Sequence, residues 1–254
     1  MNTNQYEMRI GNYDLSYQIR NGGDRCVLFI HGLGCSSDSF KHAFDENYFS
    51  EDFTLLAPDL LGHGNSSKPE DSSYALEKQC DLVLELVQKL NIKSLNIVAH
   101  SMGNVVALLL IEKLNNVHSI FCLEGNLAPE DCQISQKVSS LEETNFVNKI
   151  YPMTPLTFAC KGLPLEKVTS PIAFYRSAKS LVHWSTHGGL LEKYINLSIQ
   201  KTYVYGEENK EINILKKLQN TDLLKINGSG HFMMMDNPTE TYKGIADRLD
   251  TLLR

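Results

Sequence analysis

The chain has 254 residues, of which 42% are hydrophobic and 21% are charged. This balance is typical of a globular protein with one large domain, or with a core and a sizeable insertion. The formal net charge is -6 at pH 7, which argues against the basic surfaces that bind nucleic acid or anionic lipid. We therefore expect no nucleic-acid partner.

The first ten residues, M-N-T-N-Q-Y-E-M-R-I, lack the basic and apolar regions of a secretory signal peptide. The longest uninterrupted apolar run, residues 105–111, is far too short to span a bilayer. The 6 cysteines are scattered without a C-x-x-C pair, which is typical of reduced, structural thiols. These features predict a cytoplasmic protein without a membrane span.

Strand-like and helix-like stretches alternate along the chain. Two stretches with period-2 alternation predict a hairpin around Gly11-Asn12, and continuous apolar runs predict strands buried on both faces. The strands are expected at 6–10, 13–19, 26–30, 53–58, 95–99, 119–123, 202–205 and 223–226. Apolar residues at i, i+3, i+4 spacing predict helices at 75–90, 102–115 and 239–253. This order predicts an α/β fold with a mostly parallel sheet.

Residues from about Asn126 to Glu192 break this alternation, because they contain short amphipathic stretches and no buried strand. Their aromatic residues include Phe146, Tyr151, Phe158, Phe174, Tyr175 and Trp184. We interpret 126–192 as a small helical cap over the C-terminal edge of the sheet, with 1–125 and 193–254 as the core. The alternative is two ordinary crossover helices with long loops, which the length of this loop-rich stretch disfavours.

The candidate nucleophile is Ser101, in the sequence Ala99-His100-Ser101-Met102-Gly103. It follows a buried strand and precedes a helix, with a small residue two positions before it and another two positions after it. A sharp turn from strand to helix holds the turning residue in a strained conformation and requires such small neighbours. The usual form is G-x-S-x-G, and here Ala99 replaces the first glycine. The alternative is a serine that only caps the helix.

Two backbone N–H groups are candidates for an oxyanion hole beside this serine. The loop His31-Gly32-Leu33-Gly34 leaves the tip of the strand 26–30, so that the N–H of Leu33 can turn toward Ser101. The N–H of Met102 lies at the start of the next helix, where it faces any negative charge that develops. We interpret His31 itself as structural.

The candidate general base is His231, in the loop Asn227-Gly228-Ser229-Gly230-His231 after the strand 223–226. Of the 8 histidines, it is the one that follows a late strand on a glycine-flanked loop. A histidine in that position can reach the serine and take its proton.

The motifs H-G-L-G, D-L-L-G-H-G, A-H-S-M-G and G-S-G-H-F, in this order and at these intervals, resemble the α/β-hydrolase superfamily. The resemblance covers nearly the whole chain and is weakest in 126–192, where this superfamily inserts its variable cap. It implies an eight-stranded, mostly parallel sheet flanked by helices, with an antiparallel second strand and a cap inserted after strand 6. It also implies a catalytic triad of serine, acid and histidine in that order along the chain.

The acid of this triad is not where the resemblance leads us to expect it. In the superfamily it most often follows the strand before the histidine's own strand, in a G-x-x-D pattern. The corresponding stretch here is Gly206-Glu207-Glu208-Asn209, with asparagine in the expected place. An amide cannot stabilise an imidazolium, and in a serine-protease triad this exchange costs about 10⁴ in rate.

Glu124 is the preferred candidate for the acid, because some members of the superfamily carry it after the strand that here is 119–123. A glutamate is long enough to reach the histidine from one strand further away, and Gly125 permits a sharp exit from the strand. The alternatives are Glu207 or Glu208, or no effective acid at all. Asp222 is expected at the opposite edge of the sheet.

The resulting hypothesis is a serine hydrolase that cleaves an ester, thioester or lactone bond through an acyl-enzyme at Ser101. The aromatic residues of 126–192 and the sequence Met233-Met234-Met235 suggest a small to medium apolar substrate, with ordinary core packing as the alternative. The His, Cys and Asp residues lack zinc-ligand spacing, and no G-x-G-x-x-G follows the first buried strand. We therefore expect no metal and no cofactor.

Two other functions remain open on the sequence alone. The chain could be a non-hydrolytic protein that binds or senses a small hydrophobic ligand beneath its cap, and Asn209 at the expected acid position keeps that alternative open. It could also be a lyase or oxygenase that needs no cofactor and uses the same fold.

Overall fold

The computed structural model describes residues 4–153, 168–218 and 220–251. They contain an eight-stranded sheet with the strand order β1-β2-β4-β3-β5-β6-β7-β8. The strands are β1 Asn4–Ile10, β2 Tyr13–Arg20, β3 Arg25–Ile30, β4 Phe53–Pro58, β5 Ser94–His100, β6 Val117–Leu123, β7 Gln200–Gly206 and β8 Asp222–Ile226. β2 pairs antiparallel with both β1 and β4, and the remaining pairs are parallel. The expected fold class, including the antiparallel second strand, is confirmed.

The helices lie between and around these strands. The α-helices are α1 Lys41–Asp45, α2 Leu76–Lys89, α3 Gly103–Lys113, α4 Gln133–Ser139, α5 Glu143–Asn145, α6 Pro171–His187, α7 Leu190–Ile195, α8 Ile214–Lys217, α9 Met233–Asp236 and α10 Pro238–Thr251. Short 3-10 turns occupy Ser37–Phe40, Pro129–Cys132, Tyr151–Met153 and Glu207–Asn209, and a π turn occupies Phe146–Ile150.

The central strands are buried on both faces, as their continuous apolar runs predict. In β3, Cys26, Leu28 and Ile30 face one hydrophobic cluster, which includes the apolar sides of α2 and α3. Val27 and Phe29 face a second cluster, built with α1 and α10. The alternation follows from the two-residue period of a strand. Two helical layers therefore enclose the sheet and leave its C-terminal edge to carry loops.

Helices account for most of the described residues between β6 and β7, which confirms the inserted helical region. A separate apolar cluster lies within them and consists of Val138, Phe146, Tyr151, Phe174, Tyr175 and Ala178. Trp184 packs against the main core instead, and Phe158 lies outside the described residues. The division into a core of 1–125 and 193–254 and a cap of 126–192 stays a prediction. α7 crosses the predicted boundary, with Leu190 and Tyr194 buried in the main core.

Arg176 joins two parts of this helical region by an ion pair and fixes the region to the rest of the chain by backbone hydrogen bonds. Arg176 of α6 binds both carboxylate oxygens of Glu143, at 3.0 and 2.6 Å. The same guanidinium donates to the backbone carbonyls of Glu70 at 2.9 Å and Ser72 at 2.6 Å. A planar group with five donors can satisfy all four acceptors at once. Arg176 thus joins the inserted helices to the loop that precedes α2.

Five cysteines fall within the described residues, and all five are buried thiols that form no disulfide there. Cys160 lies outside those residues. Burial strongly raises the pKa of Cys26 and Cys122, so that their thiols stay protonated and behave as small apolar groups. In the part of the chain that the structure describes, no helix has the length and apolar character needed to cross a membrane.

The close packing of α3 against β3 gives a test of the fold. A Cβ at Gly103 would lie 2.4 Å from the carbonyl oxygen of Ile30, a contact with rigid backbone. A Cβ at Gly244, also helical, would meet only the end of the Leu224 side chain, at 2.8 Å. We expect Gly103→Ala to destabilise the protein by about 2 kcal/mol or more, although alanine favours helices.

Chemical denaturation of both variants measures this difference. Gly244→Ala is the matched control and should change the free energy of unfolding by less than about 1 kcal/mol, because a flexible side chain can move away. Equal stability of the two variants would contradict the packing of α3 on the β3 backbone.

Candidate active site

Ser101 lies at the turn from β5 into α3 in a left-handed backbone conformation, with φ of +50°. This conformation is costly for a residue with a side chain and persists only where its surroundings impose it. The N–H of Ser101 donates to the carbonyl of Leu123 at 3.0 Å, and its own carbonyl accepts from Asn104 at 3.1 Å. The strained turn expected from A-H-S-M-G is therefore present.

His231 and Glu124 form a close pair near this turn. The Nδ1 atom of His231 lies 2.8 Å from Oε2 of Glu124. The glutamate side chain is 7% exposed and that of the histidine 41%. Since a carboxylate only accepts hydrogen bonds, the imidazole must carry its proton on Nδ1. Its Nε2 is then free to accept a proton.

The carboxylate of Glu124 is also bound by the end of β7. The N–H of Gly206 donates to Oε1 at 2.9 Å, and the amide nitrogen of Asn209 donates to both oxygens at 2.9 Å. Glu124 itself has φ of +39°, and its N–H donates to the carbonyl of Val204 at 2.9 Å. Asn209 at the expected acid position therefore contacts the candidate acid.

Two of the other acidic residues considered for this role, Glu207 and Asp222, are bound to groups other than His231. Glu207 pairs with Lys225 at 3.2 Å and accepts from the N–H of Gly228 at 3.1 Å; the latter bond is the main cause of its lowered pKa. The N–H of Glu208 donates to the carbonyl of Ser229 at 3.1 Å, and a Cβ at Gly230 would lie 2.8 Å from Oε2 of Glu208. Asp222 binds Arg248 at 2.6 Å, at the start of β8 and away from the C-terminal edge.

The hydroxyl of Ser101 bonds to an amide that the sequence did not single out as a site residue. Oγ donates to Oδ1 of Asn126 at 3.2 Å. The Nδ2 of Asn126 donates to the carbonyl of Asp131 at 2.7 Å, which fixes the orientation of the amide. Asn126 is buried and belongs to the first residues after β6. Its position two residues after the candidate acid Glu124 is the feature of the sequence that could have indicated a place in the site.

The candidate oxyanion-hole residues lie at this same edge. A Cβ at Gly32 would lie 2.9 Å from Nδ1 of His100 and 3.1 Å from Cβ of Ser101, so the loop that carries Leu33 passes directly beside the serine. Met102 is buried at the start of α3. In the described part of the chain, the N–H of Leu33 and that of Met102 have no protein acceptor.

Three buried histidines support the loops of the site. His31 accepts the N–H of Leu60 at Nε2, 3.0 Å away, and lies 5.1 Å from the ring of His63. His100 packs against His231 at 4.6 Å, and its Nε2 lies 3.0 Å from the backbone oxygen of that residue. Burial lowers the pKa of all three: to about 3 for His63, well below 6.5 for His100, and in the same direction for His31. They are therefore neutral near pH 7, which agrees with a structural role for His31.

A cavity of about 610 Å³ opens onto Ser101, Glu124 and His231. Its apolar lining residues are Leu33, Ile134, Phe174, Leu181, Ile212 and Phe232. Acidic residues also line it, namely Glu130, Asp131 and Glu211. Burial raises the pKa of Asp131 to about 6, although its carboxylate accepts two backbone N–H groups. No group of three or more His, Cys, Asp or Glu side chains among the described residues could hold a metal ion.

The methionines proposed for this cavity lie in the core. Met233 and Met234 are fully buried in the cluster formed with α1 and α10, and Met235 packs against the same cluster. Among the described aromatic residues of the predicted cap, Phe174 lines the cavity. The alternative of ordinary core packing therefore holds for the methionines.

A family model described as alpha/beta hydrolase fold matches residues 25–180, more than half of the chain. The chain belongs to the α/β hydrolase fold family. This confirms the resemblance that its four motifs carry. In this family fold, the turn at Ser101, the loop of His231 and the end of β6 all meet at the C-terminal edge of the sheet.

Similar proteins include several hydrolases of this fold. The protein named probable lysophospholipase BODYGUARD 4 of Arabidopsis thaliana is 40% identical over 92 residues, which are 36% of this chain and 22% of that protein. Among solved structures, the N-acyl homoserine lactonase AidH complexed with N-butanoyl homoserine has a TM-score of 0.78 at 17% identity, covering 97% of this chain and 96% of that one. An esterase from Thermogutta terrifontis has a TM-score of 0.74 at 17% identity, with 98% of both chains covered.

The neutral buried histidines make stability depend on pH. As the pH falls below about 6.5, the unfolded chain takes up protons on these residues and the folded chain does not, so stability is lost. For His63 this loss extends down to its folded pKa of about 3. We expect the free energy of unfolding to fall between pH 7 and pH 5, with a shallower slope in His63→Gln. Urea denaturation at several pH values measures both slopes, and parallel profiles would contradict the neutral state of His63.

Proposed function

We propose that the protein is a serine hydrolase that cleaves an ester, thioester or lactone bond through an acyl-enzyme at Ser101. The observation that carries this proposal is the 2.8 Å contact between Nδ1 of His231 and the buried carboxylate of Glu124, in the cavity that Ser101 also lines. Nucleophile, acid and base then follow one another along the chain in the order expected for the α/β hydrolase fold.

In the proposed mechanism, Nε2 of His231 takes the proton of Ser101 as Oγ attacks the carbonyl carbon of the substrate. The hydroxyl must first turn from Asn126, its partner at 3.2 Å, toward the histidine. Glu124 holds the imidazole in the required tautomer and stabilises the imidazolium. His231 then returns the proton to the leaving group, and later activates the water that releases the acyl group.

The negative charge on the substrate oxygen needs donors that are already in position. The N–H groups of Leu33 and Met102 are the candidates, because both have no protein acceptor among the described residues and flank the turn at Ser101. Such fixed donors stabilise the charge without reorganisation during the reaction.

The proposed substrate is a small to medium apolar ester. A cavity of about 610 Å³ with leucine, isoleucine and phenylalanine in its lining suits an acyl group of moderate length. The similar proteins named above as a lysophospholipase, a lactonase and an esterase support the same bond class.

Hydrolysis of p-nitrophenyl esters, from acetate to octanoate, tests the triad. We expect Ser101→Ala to lower kcat by about 10³-fold or more, and Glu124→Gln by about 10²- to 10⁴-fold, because the imidazolium loses its counter-charge. The controls are Glu207→Gln and Asp222→Asn, which should both retain wild-type kcat.

Each alternative gives a different result in this assay. A fall in kcat for Glu207→Gln, together with an active Glu124→Gln variant, would transfer the role of acid to Glu207. A folded wild-type protein that binds these esters, as judged by a raised Tm, but does not cleave them would favour the ligand-binding function instead.

The oxyanion hole has a separate test in Gly32→Ala. The added Cβ would press on His100 and on Cβ of Ser101, at 2.9 and 3.1 Å, and should displace the loop of Leu33 by a few tenths of an ångström. We expect kcat to fall by about 10-fold or more, since donors at an oxyanion depend steeply on position. Gly244→Ala serves as the control outside the site. Unchanged kcat in Gly32→Ala would argue against donation from this loop.

A further inference from the structure

Asn209 lies against both oxygens of the Glu124 carboxylate, at the end of β7. Its Nδ2 atom is 2.9 Å from Oε1 and 2.9 Å from Oε2. The N–H of Gly206 occupies Oε1 as well, and His231 occupies Oε2. The carboxylate is thus held by three donors from two loops, and Asn209 is the only one of them that contacts both oxygens.

The chemistry of this contact accounts for an amide at position 209. A carboxylate in the same place would bring two negative groups within hydrogen-bonding distance, and such a pair cannot ionise fully. An amide of the same shape as aspartate offers N–H groups instead. Asparagine is therefore complementary to Glu124 at the point where aspartate would repel it.

The contact also controls the direction of the carboxylate. Glu124 has one more rotatable bond than aspartate, and its terminal torsion is broad unless other groups fix it. Asn209 spans the two oxygens, so the carboxylate cannot turn without breaking a bond to it. Oε2 consequently stays directed at Nδ1 of His231 and Oε1 at Gly206.

We propose that Asn209 is the positioning residue of Glu124, and that positions 124 and 209 form one carboxylate–amide pair whose members can be exchanged. This inference rests on the proposed function, because it concerns the acid of the same triad. With glutamine at 124 and aspartate at 209, the amide again donates to a carboxylate at the end of β7. The negative charge then remains beside His231 although it has moved to the other strand.

A four-protein comparison on the full chain tests the exchange with p-nitrophenyl butanoate. The proteins are wild type, Glu124→Gln, Asn209→Asp and the double variant, each checked for an unchanged Tm. We expect both single variants to lose kcat, the first for lack of charge and the second because two carboxyl groups compete. The double variant should have a kcat at least 10-fold above that of Glu124→Gln, a recovery that independent effects cannot produce.

The matched control is Glu124→Gln combined with Asn213→Asp. Asn213 also lines the cavity, so this variant adds a carboxylate to the same cavity without restoring the pair. It should stay as inactive as Glu124→Gln. If the exchanged pair is no more active than this control, the proposal is overturned.

Asn209→Leu tests positioning without a change of charge, since leucine has a similar size and no donor. We expect kcat to fall by about 5-fold or more with a KM within 2-fold of wild type, because the loss concerns the acid and not substrate binding. A wild-type kcat in this variant also overturns the proposal. The proposed function fails separately, through an active Ser101→Ala variant.

Discussion

The buried carboxylate of Glu124 is the group on which the arrangement of the site depends. A charge that is 7% exposed costs several kcal/mol unless hydrogen bonds replace its water. Here the replacements come from Gly206 and Asn209 after β7 and from His231 after β8. Three strand ends must therefore keep their relative positions for the charge to be tolerated. The parallel pairing of β6 with β7 and of β7 with β8 keeps these strand ends in their relative positions.

Backbone segments pack directly against one another at the C-terminal edge of the sheet, where the candidate site lies. A Cβ at Gly206 would lie 2.4 Å from the carbonyl oxygen of Gly230, one residue before His231. A Cβ at Gly103 would likewise lie 2.4 Å from the carbonyl oxygen of Ile30. Glycine at these positions lets one loop lie directly on another, at a distance that a side chain would not allow. The candidate catalytic residues therefore rest on closely packed backbone.

The beginning of the inserted helical region takes part in the site through Asn126. Its amide joins the hydroxyl of Ser101 to the carbonyl of Asp131, so the residues after β6 contact the candidate nucleophile directly. Arg176 holds a later part of the same region to the loop before α2. The orientation of the Ser101 hydroxyl is therefore tied to the first residues of this region through the two hydrogen bonds of Asn126.

The sequence by itself determined the order of strands and helices, the strained turn at Ser101 and the loop of His231. Each of these follows from short-range patterns, namely the period of apolar residues and small residues around a turn. It favoured Glu124 as the acid, with Glu207, Glu208 or no effective acid as the alternatives, and it identified Asn209 only as a departure from the usual G-x-x-D pattern. Tertiary structure decided the contacts of these residues, because Asn209 and His231 meet Glu124 across 85 and 107 residues. Distances of that kind are set by sheet register and packing, and no local pattern in the chain encodes them.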